Sequence, residues 1–249
     1  MDDDLPEAIP AATLILMRAA RVGPPEILML ERAETMAFAA GALVFPGGRI
    51  DLEDHALAER FPDFPDAAAR IAAIRETIEE TGVAPALRPA PDAAALRLAL
   101  AAGRPFAPLI EETGLSLDLA ALTPFARWCP NFREARRFDT LFYLAEAPAG
   151  GTLHSADETE SVHTFWATAA DVLAEIEAGR AKAIFPTRRN LERLARFGSL
   201  AEARADAGRH AVERITPWVE ERGGRRFVCI PEGIGYPVTA EPYESARRR

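Results

Sequence analysis

The stretch AAIRETIEETGV, residues 72–83, carries three glutamates within five positions: Glu76, Glu79 and Glu80. On a helix, residues three and four apart share a face, so Glu76 would lie beside both of the others. Three carboxylates at this spacing repel one another unless a cation joins them. Mg²⁺ is a hard cation that binds through a few carboxylates, water and substrate phosphates. The stretch therefore predicts either a metal-binding helix or an acidic helix face exposed to solvent.

The composition indicates a folded protein that acts on small molecules. With 249 residues, 49% of them apolar, the chain can bury a sizeable core, which excludes a disordered or fibrous protein. The net charge of −9 argues against sequence-independent binding of nucleic acid, which needs clustered positive charge. Cys129 and Cys229 have no metal-ligand spacing and fit a reducing compartment. The acidic start MDDDLPEAIP and the short apolar runs predict neither a signal peptide nor a membrane span, so we expect a cytoplasmic protein.

Apolar periodicity predicts strands at the start of the chain and a strong helix after them. ATLILMRA and EILMLERA, separated by the turn-rich ARVGPP, favour two neighbouring strands, and GALVFPGGRID favours a third that breaks at residues 46–48. The glutamate helix is predicted over about 67–81, with Gly82 as its C-cap. Ile71, Ile74 and Ile78 form the stripe that docks this helix on the core.

The rest of the chain alternates helices and strands without an internal repeat or a low-complexity linker. Residues 84–123 are Ala- and Leu-rich with helical spacing and predict a helical insertion. RRFDTLFYLAEA and VHTFWA predict two further strands, two amphipathic helical stretches follow, and RRFVCIPEGIGYP looks like a final strand. We expect one domain over residues 1–249, with C-terminal helices and a tail over about 167–249.

PGGRIDLED followed by RETIEETGV resembles the signature of the Nudix hydrolases, Gx5Ex7REUxEExGU, in which U is a bulky aliphatic residue. Gly48 matches the first glycine, and Arg75 to Val83 fit the second half at every position. Asp54 stands where the signature has its first glutamate, and 20 residues rather than seven separate it from Arg75, which a 13-residue insertion accounts for. Residues 12–200 are similar to the branch that includes the peroxisomal coenzyme A diphosphatases.

The resemblance implies an α/β fold, the Nudix α/β/α sandwich, with a mixed sheet between helices. It also implies hydrolysis of a phosphoric anhydride bond in a nucleoside diphosphate derivative, with Mg²⁺ or Mn²⁺ as cofactor. By position in the signature, Glu76, Glu79 and Glu80 would bind the metal and Arg75 would steer the carboxylates. Such ions neutralise pyrophosphate oxygens and orient a water molecule for attack on phosphorus.

The attacking water needs a base to accept its proton. Glu160, six residues before Trp166, corresponds to a glutamate of the relatives and is one candidate, and Glu76 itself is another. Glu158 is a weaker third, because a loop acid in SADETES is an equally good interpretation.

An upstream pattern ending in FPGG points to coenzyme A as substrate. The coenzyme A diphosphatases carry roughly LLTxR(S/A)x3Rx3Gx3FPGG. Here Leu30 stands at the threonine and Ala37 at the second arginine, while the positions that fit are Leu28, Arg32, Ala33, Gly41, Phe45, Pro46, Gly47 and Gly48. Losing that arginine removes a charge-assisted phosphate contact. Arg136 or Arg137, one of them fixed by Asp139, could meet phosphates too, or form a salt-bridge cluster at a strand edge. The predicted substrate-binding residues are Arg32, Gly41, Phe45, Gly47, Gly48 and Arg137.

These observations lead us to expect a hydrolase that cleaves coenzyme A or acyl-coenzyme A to 3',5'-ADP and (acyl-)phosphopantetheine. The alternatives are hydrolysis of ADP-ribose, a nucleotide sugar or a dinucleoside polyphosphate, and a Nudix-fold binding module without turnover. We expect a small-molecule substrate and neither nucleic acid nor membrane as a partner. Many relatives pair, which favours a homodimer.

Overall fold

The computed structural model describes residues 6–32, 41–130, 137–149 and 163–246. The strands in these ranges are β1 (Ala8–Arg18), β2 (Glu26–Glu31), β3 (Ala42–Val44), β4 (Gly47–Arg49), β5 (Leu87–Arg88), β6 (Ser116–Leu117), β7 (Thr123–Trp128), β8 (Arg137–Glu146), β9 (His163–Thr168), β10 (Lys182–Ala183), β11 (Arg214–Ile215), β12 (Trp218–Arg222), β13 (Arg225–Cys229) and β14 (Ala240–Pro242). The helices are α1 (Leu52–Ala58), α2 (Ala67–Thr81), α3 (Ala93–Ala101), α4 (Phe106–Glu112), α5 (Ala169–Glu177), α6 (Phe185–Leu194), α7 (Leu200–Ala207) and α8 (Tyr243–Ala246).

A mixed sheet in the order β10-β3-β2-β1-β8-β7-β11 forms the centre of the fold. β9 pairs with β2, and β4 pairs with β1. β1 and β2 are neighbours, as predicted, and pair antiparallel through Met17 and Arg18 of β1. β1 runs parallel to β8 along ten residue pairs. Farther along, β3 pairs with β2 and β4 pairs with β1, so residues 42–49 cross from one strand to the other.

Helices cover both faces of this sheet because side chains alternate along each strand. Leu14 and Leu16 of β1 pack with α2 on one face. Ile15 and Met17 pack with helices α5, α6 and α7 on the opposite face. The predicted α/β/α sandwich is therefore confirmed.

The structure differs from the prediction in how the FPGG segment and the chain after it fold. The third strand breaks slightly earlier than predicted, since β3 ends at Val44, and Gly47 and Gly48 do not form a turn but begin β4, paired with Thr13 and Ala12. The polar stretch after it forms α1, which sequence periodicity did not indicate. The insertion over 84–123 contains α3 and α4 and also the small antiparallel sheet β5-β6.

The C-terminal part of the chain also differs from the prediction, which was a single final strand. β13, which consists of RRFVC, is the middle strand of a separate sheet β12-β13-β14. The predicted amphipathic stretches form α5, α6 and α7. In the described residues, no helix is both long and apolar enough to span a membrane.

A buried ion pair joins α6 to α7 beneath the sheet. Asp206 and Arg193 are 3% and 1% exposed, and the Arg193 Nε donates a hydrogen bond of 2.9 Å to Asp206. The Arg193 Nη1 donates to the carbonyl of Phe125 at 3.1 Å, so the same guanidinium also holds β7. Burial by itself would raise the pKa of Asp206, but the hydrogen bond and charge of Arg193 outweigh it and hold the pKa below its ordinary range.

We expect Asp206→Asn to lower stability by an amount that depends on pH. A carboxylate with a depressed pKa in the folded state contributes stability above its unfolded pKa, and that contribution is lost as pH falls through the folded pKa. Urea denaturation at neutral pH and below about pH 3 measures the effect. The gap between wild type and variant should be largest at neutral pH and shrink in acid. A gap that stays constant with pH would rule out the ion pair as its origin.

Candidate active site

Helix α2 begins and ends at the predicted residues. Ile71, Ile74 and Ile78 are fully buried and dock the helix on the sheet. Gly82 follows it with φ of 69°, a left-handed conformation that glycine adopts without strain, and its N–H donates to the carbonyl of Ile78 at 2.9 Å. The packing of the apolar stripe turns the glutamate side of the helix toward β4 and the N-terminus of α1.

The two glycines of β4 contact two of the three glutamates directly. The Gly47 N–H donates a hydrogen bond of 2.9 Å to the Glu80 carboxylate. The Glu76 carboxylate occupies the space where a side chain at Gly48 would begin, since a Cβ there would lie 2.4 Å from the Glu76 Cδ. The β4 backbone thus forms a cradle for the carboxylates of α2.

The Arg75 guanidinium donates hydrogen bonds to three carboxylates, those of Glu76, Glu79 and Asp54. Its Nη1 donates to Glu76 at 2.9 Å and to Glu79 at 3.3 Å. Its Nε and Nη2 donate to the two oxygens of Asp54 at 3.1 and 2.9 Å, and Nη2 also donates to the carbonyl of Arg49 at 3.1 Å. Arg75 therefore bridges β4, α1 and α2.

Asp54, which stands in place of the first signature glutamate, is a buried anchor for Arg75. It is 1% exposed, and besides Arg75 it accepts a hydrogen bond of 2.9 Å from the Asp51 N–H at the start of α1. The Asp54 carboxylate caps the N-terminus of its own helix, α1, and this keeps it at a fixed place beside α2. It therefore reaches Arg75 although 20 residues, rather than the seven of the signature, separate the two in sequence. Asp51 itself reaches the Arg75 guanidinium at 3.4 Å, a contact that sequence reasoning missed.

The glutamates of α2 lie in a strongly negative, partly desolvated environment. Burial raises the pKa of Glu76 to about 7, against the opposing charge of Arg75. Burial raises the pKa of Glu80 to about 8, opposed by the Gly47 hydrogen bond and by the charge of Arg32. Burial also raises the pKa of Glu79. A cation placed among these groups would relieve the penalty of keeping them ionised.

The donor set fits a hard divalent cation, because it consists of carboxylate oxygens seated against a glycine backbone. In this conformation no three acidic, histidine or cysteine side chains of the described residues converge on one point. The hydrogen bonds give the reason: Arg75 holds Glu76 and Glu79, while Glu80 turns to the Gly47 amide. Glu79 is more exposed than Glu76, with 32% of its side chain accessible compared with 16%.

The predicted substrate residues after β2 lie at the edge of this site. The Arg32 N–H donates to the carbonyl of Ala42 at 3.1 Å, and the Gly41 N–H donates to the carbonyl of Arg32 at 3.0 Å. The Arg32 guanidinium acts electrostatically on Glu80. Phe45 is 3% exposed and packs edge-on against Phe142 in the core, where it supports β3 and β4 from the far side of the sheet.

Arg137 is the first residue of β8, paired with Ala8 of β1, and is partly buried. Among the described residues Asp139 does not pair with Arg137, as one form of the prediction required, but accepts two hydrogen bonds of 2.8 Å from Arg127 on the neighbouring strand. The predicted positions that lie outside the described residues are Arg136, Glu158, Glu160 and Ala37.

The helical insertion makes one contact with the glutamate helix that sequence reasoning did not anticipate. The Arg97 Nε of α3 donates to the carbonyl of Glu79 at 3.2 Å. Leu96 and Leu100 of α3 are buried in the cluster that contains α2. The insertion therefore packs along α2 and supports it.

The two glycines of β4 should respond differently to replacement by alanine. At Gly48 the new Cβ meets the end of the flexible Glu76 side chain, so we expect Gly48→Ala to keep its melting temperature but lose at least about tenfold in kcat. At Gly47 the Cβ lies 2.4 Å from the Ala12 carbonyl and 2.7 Å from the Thr13 Cα, which cannot move away cheaply. We therefore expect Gly47→Ala to destabilise the fold by about 1–3 kcal/mol.

Thermal unfolding and steady-state kinetics of the two glycine variants separate these effects. Equal melting temperatures for Gly47→Ala and wild type would contradict the packing of β4 on β1. Full activity in Gly48→Ala would contradict the placement of the Glu76 carboxylate against the Gly48 backbone.

Comparison with known proteins supports the assignment made from these residues. No protein-family model matches the chain. A crystal structure of a Nudix hydrolase from Alicyclobacillus acidocaldarius is similar, with a TM-score of 0.72 and 28% identity, over 80% of this chain and 96% of that one. The acyl-coenzyme A diphosphatase NUDT19 of Gallus gallus is 26% identical over 254 residues, 78% of this chain and 67% of the relative. A putative Nudix hydrolase 7 of Caenorhabditis elegans is 44% identical over 57 residues, 23% of this chain and 17% of the relative.

The fold, the signature and these similarities define the class: the chain has the Nudix fold and is similar in sequence and structure to the Nudix hydrolases, a superfamily whose enzymes act on phosphoric anhydride bonds. Within the superfamily, it is similar to the coenzyme A diphosphatase branch.

Proposed function

We propose that this chain is a metal-dependent pyrophosphohydrolase that cleaves coenzyme A or acyl-coenzyme A to 3',5'-ADP and (acyl-)phosphopantetheine. The observation that carries the proposal is the seating of Glu76 and Glu80 against the Gly48 and Gly47 backbone, with Arg75 fixing Glu76 and Glu79 beside them. Similarity to an acyl-coenzyme A diphosphatase supports the choice of substrate.

Glu76, Glu79 and Glu80 would hold Mg²⁺ or Mn²⁺. When bound, the ion would neutralise the diphosphate oxygens and lower the pKa of a coordinated water molecule. The accessible Glu79 carboxylate would turn away from Arg75 to reach the ion, while Arg75 stays bound to the buried Asp54. Arg75 would then keep Glu76 in position through their 2.9 Å hydrogen bond.

The base that accepts the proton of the attacking water would be Glu160 or Glu76, as the sequence predicts. Arg75 and the backbone of Gly48 fix the orientation of the Glu76 carboxylate. As the base, it would therefore accept the proton of the water from one defined direction. Kinetics of Glu160→Gln distinguish the two: a loss of kcat with unchanged metal affinity would favour Glu160, and a wild-type rate would favour Glu76.

Arg32 and Arg137 are the candidate contacts for substrate phosphates. Among the described residues, neither guanidinium forms a hydrogen bond or ion pair, and the Nε of each is buried without a partner. Arg32 follows β2 and Arg137 begins β8, on two sides of β1 and β4. Guanidinium groups bind phosphate strongly when their own carboxylate partners are absent. Gly41, Phe45, Gly47 and Gly48 would shape the backbone between them.

A mass-resolved product assay tests the proposal. The purified protein with Mg²⁺ is offered coenzyme A, an acyl-coenzyme A, ADP-ribose and a nucleotide sugar, with Glu80→Gln in parallel. We expect 3',5'-ADP from the first two substrates and its disappearance in the variant. Cleavage of ADP-ribose or the sugar alone would overturn the proposed substrate while keeping the hydrolase. Absence of any cleavage, with Mg²⁺ still bound, would favour a binding module.

A further inference from the structure

Three polar groups on the face of β2 and β9 that carries the active site have no hydrogen-bond partner within the described ranges. They are the Arg32 Nε, the Thr164 Oγ1 and the Trp166 Nε1, and all three atoms are buried. Buried polar atoms nearly always have partners in folded proteins. Among the buried atoms without a partner in the described ranges, these three lie together, two on β9 and one directly after its neighbour β2.

The strand register places these groups together. Thr164 pairs with Leu30 and Trp166 pairs with Leu28, so each shares a face with its partner across the strands. Leu28 and Trp166 pack in the cluster that contains α2, which assigns this face to the glutamate helix. Thr164 and Trp166 are two positions apart on one strand, which separates them by about 7 Å.

Arg32 completes the group from the end of β2. It lies two residues after Leu30, and its backbone continues the pairing with Ala42, so alternation directs its side chain to the α2 face. Its electrostatic effect on Glu80 agrees with that direction. The cluster therefore borders the carboxylate site at the end of α2 that carries Glu80.

The chemistry of these groups calls for an acceptor. An indole N–H and a guanidinium N–H can only donate, and a threonine hydroxyl can donate as well. The Trp166 ring is fixed in place by Arg18, whose guanidinium lies 4.4 Å from the ring centre and is paired with Glu26. Thr164 is only 8% exposed, so burying its hydroxyl without a partner is costly in the free protein. A phosphoryl group offers several acceptor oxygens and a charge that suits Arg32.

We propose that Arg32, Thr164 and Trp166 form a donor subsite on the β2–β9 side of the active site, which binds a phosphoryl group of the diphosphate substrate. The proposal rests on the proposed function and adds Thr164 and Trp166 to its binding residues. It explains why a buried threonine hydroxyl and a tryptophan N–H are left without partners next to a site for anions.

The chain offers a matched test in two threonines of one strand. Thr164→Val removes the unpaired hydroxyl, whereas Thr168→Val removes a hydroxyl that caps α5 through a bond from the Asp171 N–H at 3.1 Å. For Thr164→Val we expect KM to rise about tenfold, because the variant loses one hydrogen bond to a charged acceptor. Its kcat should change less than about twofold, and its melting temperature should stay the same or rise. For Thr168→Val we expect an unchanged KM and a lower melting temperature.

Binding of inorganic pyrophosphate with Mg²⁺, measured by calorimetry, provides a readout besides turnover. Wild type and Thr168→Val should bind it equally, and Thr164→Val and Trp166→Phe should each bind it about tenfold more weakly. Equal binding by wild type and Thr164→Val, with a lower melting temperature in the variant, would overturn the subsite and make Thr164 structural. Failure of wild type to cleave coenzyme A, with this pattern of pyrophosphate binding intact, would overturn the substrate and leave the subsite standing.

Discussion

Glu80→Gln is expected to lower kcat by a factor of at least about 100 at saturating Mg²⁺, while the melting temperature stays close to that of wild type. Glutamine keeps an oxygen that accepts the Gly47 N–H, so the contact of α2 with β4 survives. It removes the negative charge that would bind the metal. Steady-state kinetics with the substrate found in the product assay, together with thermal unfolding, measure both quantities.

Glu112→Gln provides the control for this substitution. Glu112 ends helix α4, 58% of its side chain is accessible, and it pairs with Arg104 at the surface. The same chemical change there should leave kcat as in wild type. An unchanged rate in Glu80→Gln would remove Glu80 from the metal site, whatever the result at Glu112.

Asp54→Ala is expected to cost about 3–5 kcal/mol of unfolding free energy, the largest stability effect that we foresee at the active site. The substitution leaves the Arg75 guanidinium, 10% exposed, without the two hydrogen bonds that Asp54 accepts. It also removes the acceptor for the Asp51 N–H at the start of α1. Activity should fall as well, because Arg75 would no longer fix Glu76 and Glu79. Chemical denaturation gives the free energy.

Asp51→Ala provides the matched comparison. Asp51 also reaches Arg75, but its side chain is 59% exposed, so the loss of its pairing should cost at most about 1 kcal/mol. Equal losses in the two variants would contradict the assignment of Asp54 as the buried anchor. A small loss in both would indicate that Arg75 finds other partners.

The sequence predicts the part of the site that lies on one helix. Isoleucine spacing and Gly82 set the bounds of α2, and the spacing of Glu76, Glu79 and Glu80 puts them on one side. These features are local, because a helix period and a C-cap depend on residues a few positions apart.

The sequence does not predict the contacts that depend on pairing between distant segments. Gly47 and Gly48 look like a turn in sequence, and they become a strand only because β1 offers its edge at Ala12 and Thr13. The anchoring of Arg75 by Asp54 depends on α1, a helix that the periodicity of the sequence does not indicate.

Two side chains illustrate the same limit in the substrate region. The FPGG pattern identifies Phe45 but not the face on which it lies, and it is in the core beside Phe142. Thr164 has no signal in the sequence at all, because its missing partner is a property of the packed strands.

The binding of Mn²⁺, followed by electron paramagnetic resonance of the free ion, tests most directly whether the α2 carboxylates form the metal site. We expect wild type to bind the ion, and a variant with both Glu79→Gln and Glu80→Gln to bind it at least about tenfold more weakly while remaining folded. Equal affinity in the two proteins would contradict the metal site and, with it, the proposed mechanism.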